Sequence, residues 1–328
     1  MKRKLAFLLM LCFGWSFFLN GCGETLPKTD DRLQVVCTIF PEYDWARQLT
    51  QGVDNVDLTL LVKNGTDLHS YQPSVRDIAM IARADVFCYV GGVSDTWVND
   101  VLDTTENRTA QLVSMAEAAD ADEEVLAEGM QAEHEHDHHD DESDSHEEPP
   151  ELDEHVWLSL RRAALACTAM KEALCKADPA HEDIYNQNCT DYLQKLQELD
   201  SDFTEMTSQA ARDTIVVADR FPFRYLAEDY GLTYYAAFPG CSAETEASFE
   251  TIVFLSEKVE SLHLPCVLVT EGSNSSLAKT ILENAGSDGK ILTLQSLQAV
   301  SQKEIDAGVT YLSKMQENYD VLKQALNS

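Results

Sequence analysis

The stretch DPAHEDIYNQNCTDYLQKLQELDSDFTEMTS, residues 178–208, decides the fold because it predicts one unbroken helix in mid-chain. Asp178 before Pro179 is a strong helix start, a capping residue followed by proline in the first turn. About 30 residues at roughly 1.5 Å each would form a rod near 45 Å long. Apolar positions alternate at spacings of four and three, which makes one narrow stripe: Tyr185, Cys189, Tyr192, Leu196, Leu199, Phe203 and Met206.

This predicted helix, residues 179–210, has two interpretations. It is a rigid strut that links two lobes, or it forms a coiled coil with a partner, which three heptads support only weakly. We prefer the strut, because strand-like and helical segments alternate on both sides of it, over residues 32–178 and 211–328. Such alternation predicts an α/β protein with two lobes, each a parallel sheet flanked by helices, joined by one long rigid helix.

The predicted elements follow the apolar runs. Strands are expected at 34–40, 56–62, 85–90, 214–218, 233–238, 266–269 and 291–294. Helices are expected at 43–51, from 74, at 160–176, 221–230 and 248–262, and as one final helix from 301 with an apolar face from Ile305 to Leu326.

The first residues read as a targeting signal, which is excluded from the fold. Three basic residues precede an apolar run over 5–19, and the sequence Leu19-Asn20-Gly21-Cys22 resembles the lipobox of bacterial lipoproteins. We therefore expect a signal peptide over 1–21, lipidation of Cys22, and a polar tether over 22–31. The alternative is an ordinary signal peptide or membrane helix, but the run is short for a span of about 20 residues. The predicted location is extracytoplasmic, with a lipid anchor in the cell membrane.

Charge and cysteine content restrict the partners. A formal net charge of −33 argues against nucleic acid and against anionic lipid as electrostatic partners, and favours small cations. Seven cysteines remain after the signal and Cys22, an odd number that cannot all pair. We expect Cys37, Cys88 and Cys266 to be buried free thiols, because they lie in apolar strand-like runs. One disulfide among the remaining cysteines is possible, and the sequence does not assign its partners.

A tract rich in histidine and acidic residues occupies the predicted loop 120–150 of the first lobe. It has too little apolar surface to offset the entropy of ordering, so we expect a mobile insert. Histidine-rich composition is typical of metal binding, and an acidic solubilising loop is the alternative. The auxiliary metal ligands expected here are His134, His136, His138, His139 and His146.

Four further residues are placed where a parallel sheet binds its ligands. These sheets bind ligands outside the carboxyl ends of their strands. His69 and His155 lie in such loops of the first lobe, and Asp219 and Glu271 directly follow predicted strands of the second. Two imidazoles and two carboxylates closing on one cation would suit zinc, whereas manganese would take more oxygen ligands.

A family resemblance strengthens this interpretation. Residues 67–73, DLHSYQP, resemble the D/E-P-H-x-Y/F-x-P signature of the zinc and manganese solute-binding lipoproteins of ABC transporters, the ZnuA-like family. Residues 153–157, DEHVW, are similar to the second motif of that family, D-x-H-x-W, and an acidic histidine-rich insert before it is typical of the zinc branch. Residues 40–45, FPEYDW, resemble the start of the first lobe. The resemblance covers about residues 33–328.

The resemblance implies the metal ligands. His69 and His155 carry over, and Glu271 matches the fourth position. The third ligand is usually a histidine that opens an H-D-A-F-G-Y-like motif, and Arg220 stands at its place here. Arginine keeps its proton and cannot ligate a metal. Either Asp219 substitutes, or a histidine of the mobile loop completes the site, or the site is weak; Asp219 paired only with Arg220 is the other alternative.

The function implied is capture of zinc, or of manganese, by a monomer that delivers the ion to a membrane permease and its ATPase. A surface zinc buffer or adhesin on the same fold is the alternative. We do not expect an enzyme, because the sequence contains neither His-Glu-x-x-His nor Gly-x-Ser-x-Gly, and no phosphate-binding glycine-rich loop.

Overall fold

The computed structural model describes residues 32–63, 65–104, 109–130, 151–242 and 246–328. The predicted signal peptide, the whole predicted tether with Cys22, and all five histidines of the insert lie outside these ranges. Leu33–Ser328 form one compact unit. The domain boundaries expected from the sequence therefore remain predictions. Within the described chain, no helix combines the length and apolar character that crossing a membrane requires.

The first lobe is built on a four-stranded parallel sheet. Its strands pair in the order β2-β1-β3-β4, and β1 in the middle is almost entirely buried. Strands covered on both faces read as continuous apolar runs, which is why the sequence pattern identified three of them. The strands are β1 (Leu33–Cys37), β2 (Val56–Leu60), β3 (Val86–Tyr89) and β4 (Gln111–Ser114).

Several helices of the first lobe begin at serines whose side chains cap the first turn. Ser74 accepts a hydrogen bond from the N–H of Asp77, and Ser159 accepts one from the N–H of Arg162. Ser74 and Asp77 form a capping box at the residue from which a helix was expected. The helices are α1 (Phe40–Leu49), α2 (Val75–Ile81), α3 (Trp97–Thr104), α4 (Met115–Ala118) and α5 (Leu160–Ala177), followed by the long helix α6 (Glu182–Ser208).

The long helix has 27 residues and follows a 3₁₀ turn at Pro179–His181. All seven apolar residues of the predicted stripe, and no other residue of α6, are buried. The stripe packs inside the chain against α1, α5 and one C-terminal helix. The preferred interpretation, a strut within the two-lobed fold, is therefore confirmed.

The second lobe repeats the plan of the first. Its sheet is also parallel, with four strands in the order β6-β5-β7-β8. The strands are β5 (Thr214–Phe221), β6 (Thr233–Pro239), β7 (Cys266–Thr270) and β8 (Lys290–Leu294). The helices are α7 (Arg224–Asp229), α8 (Phe249–Ser261), α9 (Ser276–Asn284), α10 (Gln302–Asp306) and α11 (Tyr311–Asn327).

Several predicted boundaries were wrong. The final helix is two helices, because Gly308 adopts a φ of 90° after α10 and Thr310 caps α11. The first strand ends at Cys37, and Phe40 begins α1. Strand β5 runs through Asp219 to Phe221, with a register shift between Val217 and Arg220, so Asp219 lies within the strand. Strand β4 and helices α3, α4 and α9 were not predicted.

One apolar core runs through both lobes and the long helix. Val35 of β1, Leu199 of α6 and Leu268 of β7 belong to the same buried cluster. The seven cysteines in the described residues are free, and Cys37, Cys88 and Cys266 are buried as expected.

Buried hydrogen bonds also join the lobes at their base. Trp157 of the first lobe donates from Nε1 to the carbonyl oxygen of Ser296 in the second, at 2.8 Å. The Tyr311 hydroxyl donates to the carbonyl oxygen of Trp157 at 2.6 Å, and the Tyr311 N–H donates to Asp44 at 2.7 Å. The lobes therefore share both an apolar core and a buried polar seam.

Candidate metal site

His69 lies in a short 3₁₀ turn after β2, at the carboxyl end of the first sheet. Asp67 caps this turn by accepting a hydrogen bond from the His69 N–H at 3.0 Å, and the fully buried Leu68 anchors it. The His69 Nδ1 atom lies 2.7 Å from the Ser94 hydroxyl and 3.3 Å from Glu154 Oε1. The opposite nitrogen, Nε2, is buried and has no hydrogen-bond partner in the described part of the chain.

His155 is fully buried in the segment that leads into α5. Asp153 Oδ1 accepts the His155 backbone N–H at 3.1 Å and lies 2.9 Å from the ring Nδ1. Because the carboxylate accepts a hydrogen bond from Nδ1–H, this contact favours the tautomer in which the Nε2 lone pair is free. Nε2 is buried, and none of the described residues hydrogen bonds to it. The D-x-H-x-W pattern thus has a physical basis: the aspartate orients the imidazole, and Trp157 anchors the segment on Ser296.

The two imidazoles face one another. Their ring centroids lie 5.6 Å apart with an interplanar angle of 54°. An unpaired nitrogen buried away from water costs free energy, and here two neighbouring rings each have one. A metal ion that accepts both lone pairs would satisfy both, and imidazole held by a carboxylate is the usual arrangement around zinc.

Electrostatics keep the His69 ring neutral. Burial and the neighbouring His155 lower the pKa of His69 to about 4. His155 differs, because burial lowers its pKa, but the hydrogen bond and charge of Asp153 together with the charges of Glu154 and Glu124 raise it, with a net increase. His69 is therefore available as a neutral ligand over the whole physiological range.

A buried carboxylate supports His69 from behind. Glu154 Oε2 accepts the Ser94 N–H at 3.0 Å, and Glu154 Oε1 accepts from the Ser94 hydroxyl. Gly92 leaves the room for this carboxylate, since a Cβ there would lie 2.2 Å from Glu154 Oε2. Burial raises the pKa of Glu154 despite its hydrogen bonds and the nearby His155. Sequence reasoning missed this role, although Glu154 is inside the second motif.

The predicted second-lobe ligand Asp219 is engaged in hydrogen bonds. Its Oδ2 accepts from the Thr270 hydroxyl at 2.7 Å, and its Oδ1 accepts from the Arg220 N–H at 2.9 Å. The Arg220 guanidinium instead donates to Asp67 at 2.9 Å, across the lobes. Asp219 thus ties β5 to β7 and is not placed beside the two histidines by any contact described here.

Glu271, the other predicted carboxylate, binds Ser296. Its Oε2 accepts the Ser296 N–H at 2.6 Å and its Oε1 accepts the hydroxyl at 2.7 Å. Burial raises the pKa of Glu271, although these hydrogen bonds oppose the effect. Through Ser296 it is one hydrogen bond from Trp157, whose ring centroid lies 5.1 Å from that of His155. Glu271 is therefore linked to the surroundings of the histidine pair through Ser296 and Trp157. Within the described residues, no hydrogen bond or ion pair joins it to either imidazole ring.

The structure brings one unexpected residue to the histidines. Ligand atoms of His69, Glu154 and Cys241 all lie within 4.8 Å of one another. Cys241 follows β6, at the same edge where ligands were expected. Its position directly after the predicted strand and Pro239-Gly240 was the available signal. His181 and His263 lie elsewhere, His181 paired with Asp178 and His263 exposed at the end of α8.

Two like-ordered parallel sheets, a long helix in their shared core and two facing imidazoles, one fully and one largely buried, define a two-lobed solute-binding protein. Within that class the chain belongs to the ZnuA family, described as "zinc-uptake complex component A periplasmic", which it matches over residues 35–325.

Individual relatives agree with this placement. The chain is 32% identical over 324 residues to the zinc-binding lipoprotein AdcA of Streptococcus pneumoniae, covering 99% of this chain and 61% of AdcA. It is 29% identical over 325 residues to the high-affinity zinc uptake system protein ZnuA of Bacillus subtilis, covering 98% and 96% of the two chains. The crystal structure of the Zn(II)-bound ZnuA-like domain of S. pneumoniae AdcA superposes with a TM-score of 0.70 at 30% identity, covering 90% of this chain and 100% of that domain.

Proposed function

We propose that this protein captures a divalent metal ion, zinc, between its lobes and delivers it to the membrane permease and ATPase of an ABC-type importer. One observation carries the proposal: two adjacent imidazoles, each with a carboxylate on its Nδ1 side, each keep a buried Nε2 free. The family description and the names of the relatives, which refer to zinc binding and zinc uptake, support the same function. The role is binding and transfer, without catalysis.

The proposed ligands begin with His69 and His155. The carboxylates of Asp219 and Glu271 remain proposed oxygen donors of the second lobe. To reach the ion, each would have to exchange its present partner, Thr270 or Ser296, for the metal. Manganese is the alternative ion. Imidazole nitrogen is a better ligand for zinc than for manganese, which prefers carboxylate, carbonyl and water oxygens.

A calorimetric titration tests the site. Zn²⁺ and Mn²⁺ are titrated into the metal-free chain and into His69→Ala and His155→Ala. We expect each substitution to weaken zinc binding by about 100-fold or more, about 2.7 kcal/mol. His263→Asn is the matched control, because His263 is exposed with a φ of 51°, which asparagine tolerates. Wild-type affinity in both alanine variants would refute the site.

The histidine-rich insert is proposed to concentrate zinc near the cleft. Its histidines lie outside the described residues, so deletion of 131–148 is the direct test. We expect the deletion to remove weak additional zinc equivalents and to preserve the strongest binding step. If the deletion alone abolished high-affinity binding, the assignment of the cleft would be wrong.

Lipid anchoring through Cys22 and monomeric action are part of the proposal. In cells, Cys22→Ser should move the protein from the membrane fraction to the soluble fraction. A detergent-extracted wild type should elute as a single chain with its detergent.

Import is distinguished from the alternative, a surface zinc buffer or adhesin, by uptake. Loss of the protein should lower the rate of zinc accumulation in zinc-limited cells, and His155→Ala should not restore it. A buffer or adhesin would leave the rate unchanged when the permease is intact.

A further inference from the structure

The loop after β6 carries a cysteine into the neighbourhood of the two histidines. The Cys241 sulfur lies within 4.8 Å of a ring nitrogen of His69 and an oxygen of Glu154. The residue before it, Gly240, lies against His155: a Cβ at Gly240 would be 2.8 Å from Cε1 and 2.9 Å from Nδ1 of that ring. One loop of the second lobe therefore touches the surroundings of both imidazoles.

Glu154 is a supporting residue of this cluster and not its third ligand. Both its oxygens accept from Ser94, and it faces the Nδ1 side of His69. The atoms left free are the Nε2 nitrogens of the two histidines. The His155 side chain is 0% exposed. The Cys241 thiol is a ligand atom of the second lobe in the same neighbourhood, within 4.8 Å of a ring nitrogen of His69.

The loop is fixed in place from the first lobe. Glu124 Oε1 accepts the Gly240 N–H at 3.0 Å. Glu124 lies in the described first part of the predicted loop 120–150. The backbone of Glu154 makes a hydrogen bond to the Cys241 sulfur. These contacts position the thiol without using up the donors that would face a metal.

The expected second-lobe ligands are occupied elsewhere. Asp219 accepts hydrogen bonds from Thr270 and Arg220, and Glu271 accepts them from Ser296. Arg220 stands at the position where the sequence motif led us to look for a histidine. A thiolate on the neighbouring strand's loop would supply the missing third donor.

We propose that Cys241 is a metal ligand, so that the ion is held by the Nε2 atoms of His69 and His155 and by the thiolate sulfur of Cys241. This inference rests on the proposed function of the site. Zinc accepts two imidazoles and a thiolate in tetrahedral sites that keep one open position. A thiolate ligand also selects zinc over manganese, since soft sulfur is a poor ligand for the harder ion.

Cobalt spectroscopy tests the sulfur ligand directly. Co²⁺ titrated into the reduced full chain should give thiolate-to-cobalt charge-transfer absorption in the near ultraviolet. We expect Cys241→Ser to lose that absorption, to bind zinc at least about tenfold more weakly, and to discriminate less between zinc and manganese. Cys175→Ser is the matched control, because Cys175 is also a partly exposed free thiol, on α5. It should behave as wild type.

Alkylation of the unmodified protein gives a second measurement that does not depend on a variant folding. Zinc should slow the reaction of Cys241 with iodoacetamide, followed by peptide mass spectrometry, and leave Cys175 unaffected. Equal alkylation rates of Cys241 with and without zinc, or wild-type zinc affinity in Cys241→Ser, would overturn this inference. The proposed function would still stand if His69→Ala and His155→Ala lost zinc affinity. A wild type that binds no zinc would overturn both.

Discussion

Asp153 shows how one residue prepares a ligand. It is almost fully buried and accepts both the backbone N–H and the ring Nδ1–H of His155 through one oxygen. The second contact selects the tautomer in which Nε2 can bind a metal, and it makes the imidazole a stronger donor. The residue two positions before the ligand is therefore part of the site.

We expect Asp153→Asn to weaken zinc binding about 10–100-fold, because the amide orients the ring less firmly and lacks the charge. Calorimetric titration of zinc into the variant measures the change. Asp178→Asn is a matched control, since Asp178 pairs with the Nδ1 of His181 at 2.7 Å away from the site. Equal effects of the two substitutions would contradict the orienting role.

A second buried carboxyl group affects stability instead. Glu42 Oε2 accepts the N–H groups of Thr38 and Ile39 at 2.7 and 3.2 Å, and the Glu42 side chain is fully buried. Burial and the nearby Asp95 raise the pKa of Glu42 to about 8. In the unfolded chain its pKa returns to about 4.3.

Between those two pKa values the folded protein keeps a proton on Glu42 that the unfolded chain has lost. The free energy of unfolding should therefore decrease as the pH rises from about 5 to 8. Glu42→Gln should flatten this dependence, because the amide does not titrate. Urea unfolding of the metal-free protein at both pH values measures it. An unchanged pH dependence in the variant would show that Glu42 does not titrate in this way.

At the scale of elements, apolar periodicity was reliable where it was long and unbroken. The stripe on α6 is buried as predicted, because spacings of four and three keep seven side chains on one face. The same reasoning failed for the final helix, since the period continues across Gly308 while the backbone there turns to a φ of 90°. Strand β4 escaped prediction because it has four residues at the edge of the sheet, with only Val113 buried.

Burial along α6 predicts its mutational sensitivity. Leu196 is 1% exposed in the middle of the helix, so Leu196→Ala should lower the free energy of unfolding by about 2–5 kcal/mol. Leu165→Ala on α5 is the matched control, because Leu165 is 49% exposed, and its effect should stay within about 0.5 kcal/mol. Chemical denaturation of both variants measures the difference. Similar losses would mean that α6 does not form part of the core.

For the molecule as a whole, the sequence predicted the two-lobed fold, and it singled out two first-lobe histidines that lie side by side in the structure, with ring centroids 5.6 Å apart. His69 and His155 sit inside compact motifs whose neighbours, Asp67 and Asp153, hold them locally. The second-lobe donor depends on which of several polar side chains at the strand ends turns toward the histidines. Which side chain does so depends on contacts between residues far apart in sequence, such as Arg220 with Asp67, and local sequence patterns do not predict such contacts.

Metal binding should stabilise the whole chain. With free zinc at about 1,000 times Kd, binding adds about 4 kcal/mol to the free energy of unfolding. The midpoint of thermal unfolding should rise accordingly, and differential scanning calorimetry with zinc and with a chelator measures it. His69→Ala should show little of this rise at the same zinc concentration. A full rise in that variant would place the stabilising ion elsewhere.

The buried hydrogen bonds that join the two lobes affect how a metal ion would be exchanged. Hydrogen bonds among Trp157, Ser296 and Tyr311 join the two lobes close to the proposed ligand His155, and one apolar core also spans both lobes. A wide clamshell opening would have to break these buried bonds each time an ion passed. Uptake and release of the ion should therefore depend on opening of the short loops at the site. The rate of ion exchange should follow this loop opening and not a rotation of one lobe against the other.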